Sequence, residues 1–192
     1  MAKQILLVST STVHGSPYLS YIMPEVVRFF SGCTNLLFIP YARPSGISLE
    51  EYSNTASKAF GEAGLSIRGI QEWDTPQKAI EECDGIFTGG GNTFLLLKTL
   101  QEKGLIELLR EKVLRGTPYM GTSAGSNIAG LTINNTNDMP IVYPQSFEAL
   151  GLVNFNLNPH YIDPDPTSKH MGETRETRIK EFHNQSDIPV FG

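Results

Sequence analysis

Residues 117–127 read TPYMGTSAGSN, an apolar run that dissolves into small residues at Gly121. Pro118, Tyr119 and Met120 have the character of a strand, and the residues from Ala124 that of a helix start. Gly121-Thr122-Ser123-Ala124-Gly125 therefore falls on a strand-to-helix turn, the context in which G-x-S-x-G lifts a serine hydroxyl clear of a sheet. Such a turn leaves no room for side chains beside the serine and aims the next backbone N–H groups at the same spot. The competing reading is a small-residue helix start that merely contains a serine. In a chain with 18 glycines the motif alone does not decide between them.

Moving outward from this turn, the strand-then-helix rhythm recurs. Strand-type runs lie at 5–11 (ILLVSTS), 35–42 (NLLFIPYA), 66–73 (SIRGIQEW), 85–91 (GIFTGGG), 117–123, 152–159 (LVNFNLNP) and 188–192 (IPVFG). The most apolar of them lack clean alternation, as strands covered on both faces do. Helical spacing joins Tyr18, Tyr21, Ile22, Val26, Phe29 and Phe30. A second helical pattern runs through Phe94, Leu95, Leu97 and Leu100 and continues through Leu105, Leu108, Leu109 and Val113. Thr75-Pro76 and Asn92-Thr93 predict helix starts. The alternation predicts an α/β fold, a mainly parallel sheet flanked by helices on both faces. Only 132–146 (TINNTNDMPIVYPQS) lacks a period, and so long a connection inside a compact domain is functional or mobile.

A length of 192 residues supports one well-buried core, hence a single α/β domain over 1–192. With 40% hydrophobic and 18% charged residues the composition is that of a globular protein. Net charge is -5 and the basic residues are scattered, which argues against a nucleic-acid partner. The first apolar run, Ile5 to Val8, is too short for a signal-peptide core or a membrane span, so a cytoplasmic protein without a membrane partner is expected. Cys33 and Cys83 show no metal-type spacing and read as free thiols. No cofactor and no metal are expected: His160 and Asp163 are the only suggestive ligand pair, and zinc takes three protein ligands or more. The sequence does not specify the oligomeric state, and a homodimer is compatible with it.

Ligands of open parallel sheets bind outside the carboxyl ends of the strands, and two more unusual segments fall there. In 88–94 (TGGGNTF) three glycines leave peptide N–H groups uncovered, able to hold a phosphate or the oxyanion of acyl transfer. Phe94 occupies the last glycine position of G-x-G-x-x-G and no P-loop lysine follows, which disfavours nucleotide binding. In 158–161 (NPHY) a histidine closes a strand run. Of His14, His160, His170 and His183, only His160 comes directly off a strand end. A serine nucleophile needs such a base, and the base gains from a carboxylate that fixes its tautomer. Asp138, Asp163 and Asp165 are all candidates. Finally, 172–182 (GETRETRIKEF) reads as a helix with Arg175 in its first turn and Arg178 one turn on. Arg175 is a fork for a substrate carboxylate, unless this is a solvated helix with ion pairs such as Glu173 to Arg178.

GGGNTF, GTSAGSN, TNDMPI, NPHY and GETRETR, in that order, resemble the motifs of peptidase E, the aspartyl dipeptidase family of serine peptidases, over essentially the whole chain. The resemblance implies a class I glutamine amidotransferase-like fold with serine in place of cysteine. It implies Ser123 as nucleophile, His160 as base and Asp138 as the acid, with the N–H groups of Gly91 and Ala124 as oxyanion donors. Arg175 would bind the side-chain carboxylate of an N-terminal aspartate. The implied reaction is hydrolysis of Asp-X dipeptides, so the expected partner is a small peptide. Two departures stand out. Thr122 replaces the tryptophan usual in bacterial members, as in cyanophycinase-like relatives, and family members continue through further strands beyond the position of Gly192, strands expected to be missing here. The alternatives are a cyanophycinase-like β-aspartyl peptidase and a non-enzymatic phosphate- or nucleotide-binding module built on GGGN, for which Ser123 would be dispensable.

Overall fold

Five parallel strands form the central sheet: β1 (Ile5–Val8), β2 (Leu36–Ile39), β3 (Ile67–Gly69), β4 (Gly85–Thr88) and β5 (Tyr119–Thr122), in the order β1-β5-β4-β2-β3. A separate two-stranded sheet pairs β6 (Asn156–Leu157) with β7 (Val190–Phe191). The helices are α1 (Met23–Phe29), α2 (Leu49–Glu62), α3 (Pro76–Glu82), α4 (Thr93–Glu102), α5 (Ile106–Leu114), α6 (Ala124–Asn127) and α7 (Arg175–His183). This computed structural model describes residues 2–163, 167 and 172–192.

Side chains alternate along the strands between two cores, so both faces of the sheet are covered. Leu36, Phe38, Phe87 and Met120 pack with Val26 of α1 and Tyr52, Ala56 and Phe60 of α2. Leu37, Ile39, Ile86 and Tyr119 pack with Ile80 of α3, Leu97 and Leu100 of α4, Leu109 of α5 and Ala124 of α6. Phe87 is fully buried and lies against both Phe38 and Phe60, with ring centroids at 5.0 and 5.5 Å. Burial of one such ring contributes about 1.5–3 kcal/mol. The arrangement is the α/β architecture the sequence predicts, of the class I glutamine amidotransferase-like type. Among the described residues no helix is long and apolar enough to cross a membrane.

The two anticipated helix starts are capped by side chains: Thr75 Oγ1 accepts from Lys78 N–H at 3.1 Å, and Asn92 Oδ1 accepts from Leu95 N–H at 3.0 Å. Three elements are shorter than the sequence suggests, one at its end and two at their starts. After Gly69 the chain enters a 3-10 turn, Ile70–Glu72, closed by Gly69 N–H on Glu72 Oε1 at 2.7 Å. Tyr18 and Tyr21 stay outside α1, because Leu19 adopts φ 57° and breaks the helical path. The start of 152–159 forms no strand: the N–H groups of Leu150, Gly151 and Leu152 are taken by the carbonyls of Ile128, Gly130 and Ala129 just beyond α6.

Register positions the site. Val8 pairs with Thr122, Gly121 with Thr88, and Thr88 with Ile39. The carboxyl ends of β1, β5, β4 and β2 are therefore level, and the residues that follow them, Ser9, Ser123, Gly89–Gly91 and Tyr41–Ala42, share one edge.

Candidate active site

Each glycine of the Gly121–Gly125 motif has a specific steric reason. A Cβ on Gly121 would lie 2.4 Å from the Gly125 carbonyl, and one on Gly125 would lie 2.1 Å from the carbonyl oxygen of Thr88. Between them Ser123 adopts φ 51°, ψ -110°, a conformation few L residues occupy. The turn is held from below. Ser123 N–H donates to Val8 O at 3.0 Å, and Tyr119 O–H donates to Gly125 O at 2.7 Å. The buried Ser126 hydroxyl accepts from Val8 N–H at 2.9 Å and lies 2.8 and 2.7 Å from the carbonyls of Val8 and Gly121. The result is a partly exposed hydroxyl on a buried base.

The glycine-rich segment passes directly over this turn: a Cβ on Gly90 would stand 3.0 Å from Ser123 Cβ. Gly91 has φ 146°, and a Cβ there would strike Ala42 O at 2.2 Å, so only glycine fits. The Tyr52 hydroxyl accepts from Gly90 N–H at 3.0 Å and lies 3.2 Å from Gly90 O. The N–H groups of Gly91 and Ala124 have no acceptor among the described residues. Ala124 directly follows the serine and Gly91 follows the glycine that lies over it; unbonded N–H groups on such turns are of the kind that can stabilise an oxyanion.

His160 Nε2 lies 3.0 Å from Ser123 Oγ. The histidine has φ 62°, its N–H donates to Ser9 Oγ at 2.7 Å, and the Arg175 guanidinium donates to the carbonyls of His160 and Pro159. Although the residue is exposed, partial burial of its ring lowers the pKa, the nearby Arg175 charge lowers it further, and Asp138 opposes both. All told the shift is downward, which favours the neutral ring, the form a general base requires. A serine hydroxyl donating to Nε2 leaves the proton on Nδ1.

Asp138 reaches His160 by its field rather than by a hydrogen bond. Its Oδ2 accepts from Thr93 N–H, at the first turn of α4, at 2.7 Å, and among the described residues no hydrogen bond joins it to the imidazole. Asp163 is exposed and interacts with the Tyr161 hydroxyl. Asp165 and His170 lie outside the described residues. His14 and His183 are both exposed. Arg175 opens α7, as expected, but its guanidinium turns back onto the histidine turn; Arg178 pairs with Glu173 at 3.8 Å as a solvated ion pair. Cys33 and Cys83 are free, and burial pushes the Cys83 thiol up to about 11. Sequence reasoning singled out neither Ser9 nor Tyr52. Ser9 falls within the strand-type run 5–11, which in the structure ends at Val8, and Tyr52 falls in α2, a stretch to which the sequence reading assigns no element.

The chain is similar to known proteins over nearly its whole length. The model of "Peptidase family S51" matches residues 5–192. Peptidase E of Streptomyces coelicolor is 47% identical over 188 residues, covering 98% of this chain and 76% of that protein. A probable alpha-aspartyl dipeptidase of Drosophila melanogaster is 43% identical over 194 residues, covering 100% and 80%. The crystal structure of a putative peptidase E protein from Listeria monocytogenes EGD-e superposes with a TM-score of 0.70 at 25% identity, covering 94% of this chain and 88% of that one.

Proposed function

The chain belongs to peptidase family S51, and from that premise we propose that it is a serine dipeptidase acting on Asp-X dipeptides, with Ser123 as nucleophile and His160 as base. The observation that carries this reading is the 3.0 Å contact between Ser123 Oγ and His160 Nε2 on a strained turn beside two unbonded N–H groups. His160 takes the hydroxyl proton as Ser123 attacks the peptide carbonyl. The oxyanion lies between the N–H groups of Gly91 and Ala124. His160 then returns the proton to the departing amine, and water clears the acyl-enzyme by the same steps in reverse. Asp138 holds the Nδ1–H tautomer and stabilises the imidazolium. In this reading a small closing motion brings its second oxygen to the ring, since hydrogen bonds of this kind are often long before substrate binds.

The names of the relatives, peptidase E and alpha-aspartyl dipeptidase, support the aspartate preference. Arg175 supplies the cation for it: its Nη1 holds the histidine turn, and its other N–H groups, which bond no acceptor among the described residues, serve a carboxylate. A neutral substrate would leave that charge unpaired, which disfavours it.

The test compares wild type and Ser123→Ala on an Asp-anilide, a Leu-anilide and a β-aspartyl-arginine dipeptide. The expected result is turnover of the Asp-anilide alone, reduced by on the order of 10⁴-fold or more in Ser123→Ala with the fold intact. Equal cleavage of Asp- and Leu-anilides would remove Arg175 from its role, and preference for the β-linked dipeptide would move the chain to cyanophycinase-like chemistry.

A further inference from the structure

The turn that carries His160 has little support of its own. It follows a strand of only two residues, and His160 itself has a left-handed backbone. What holds it comes from three distant places. Asn137, in the long irregular connection, donates to Pro159 O at 3.2 Å and to Asn158 Oδ1 at 2.9 Å. Arg175, at the start of α7, donates to the carbonyls of Pro159 and His160. Ser9, 151 residues away in sequence, accepts the His160 N–H at 2.7 Å.

Ser9 differs from the other two in what lies next to it. Val8 is bonded to the nucleophile turn through its carbonyl, which accepts from Ser123 N–H, and through both of its contacts with the Ser126 hydroxyl. Two consecutive residues at the end of β1 thus grip the two halves of the site, Val8 the serine turn and Ser9 the histidine turn. We propose that Ser9 is a positioning residue: through its hydroxyl, the Val8–Ser9 segment fixes the spacing between the Ser123 oxygen and the His160 ring. The hydroxyl is the only part of the residue the role requires. Ser9 is exposed, so its replacement leaves the core untouched.

This assignment rests on the serine-hydrolase reading above, and its test separates the two. Wild type, Ser9→Ala and Ser9→Thr are compared by anilide kinetics, by the rate at which a fluorophosphonate labels Ser123, and by thermal unfolding. In Ser9→Ala, kcat falls about tenfold or more while KM holds within about twofold, labelling slows by a similar factor, and the unfolding midpoint stays put. Ser9→Thr, which keeps the hydroxyl, recovers most of both rates. Wild-type rates in Ser9→Ala, or no recovery in Ser9→Thr, overturn the proposal while the hydrolase reading stands. If wild type takes the label but ignores the Asp-anilide, only the substrate assignment fails, and the labelling ratio still decides for or against Ser9. Wild type that takes neither label nor substrate overturns both.

Discussion

Ser123 and His160 meet at 3.0 Å, but the two sides of that contact are built differently. The serine rests on backbone: Gly121 and Gly125 are buried, Thr88 O presses against Gly125, and Val8, Tyr119 and Ser126 bond the turn from within the core. The histidine rests on side chains at the surface, with Ser9, Asn137 and Arg175 converging on a turn outside the main sheet. The nucleophile is fixed by packing that can hardly vary without unfolding. The base is fixed by hydrogen bonds that can be removed singly, so defects there should appear as lost rate and defects in the serine turn as lost stability.

The largest effect that would sharpen this contrast is expected at Asp138. Asp138→Asn keeps an oxygen for Thr93 N–H, so the fold survives, but the amide cannot reliably hold the Nδ1–H tautomer. A fall in kcat on the order of 10³–10⁴ is expected, with an unchanged circular dichroism spectrum. A fall of only a few-fold would show that the carboxylate serves α4 alone.

Next in size is Gly125→Ala. Its methyl group would meet a carbonyl oxygen of the sheet at 2.1 Å, so the backbone must move. Denaturant unfolding should show a loss of about 3–5 kcal/mol, or no soluble protein. A stable and active variant would break the claim that close packing around Gly125 places the serine.

The smallest effect concerns pH. Because burial and then Arg175 hold the His160 pKa below its ordinary value, the acid limb of kcat/KM should fall at a pH below about 6.5. Arg175→Ala removes a lowering influence, so the limb should move up; Asp138→Asn removes the raising one, so it should move down. The fluorophosphonate labelling rate reads both shifts without relying on aspartate binding. Opposite movements would separate the two charges, and no movement in either variant would mean that solvent screens both.

The same contrast explains how far the sequence could be read. The serine turn is local: two glycines, a serine and a strand run lie within a few residues, so the turn could be read from the motif, whereas the roles of Ser123, Gly91 and Ala124 came with the family resemblance. The sheet and several of its helices were legible too, because Leu36 to Ile39 is apolar throughout, Ile86 and Phe87 lead into glycines, and Thr75 and Asn92 cap helices; α2 was not. The surroundings of His160 were not, since Ser9 and Asn137 belong to polar runs whose meaning depends on contacts across the whole chain. Asp138 could be chosen among three aspartates only by family resemblance, and its bond to Thr93 joins two connections that no local pattern relates. The turn of Arg175 toward the histidine carbonyls was equally invisible, for a helix's first residue says nothing of where its side chain folds back.

Tyr52 has one more consequence. By occupying the Gly90 N–H, its phenol silences one of two neighbouring amides and leaves the other available, so an apparently uniform run of glycines is made selective by a ring rooted in the aromatic core. Replacing it with phenylalanine would restore a competing donor one residue upstream, and negative charge arising during turnover could then settle at the wrong address.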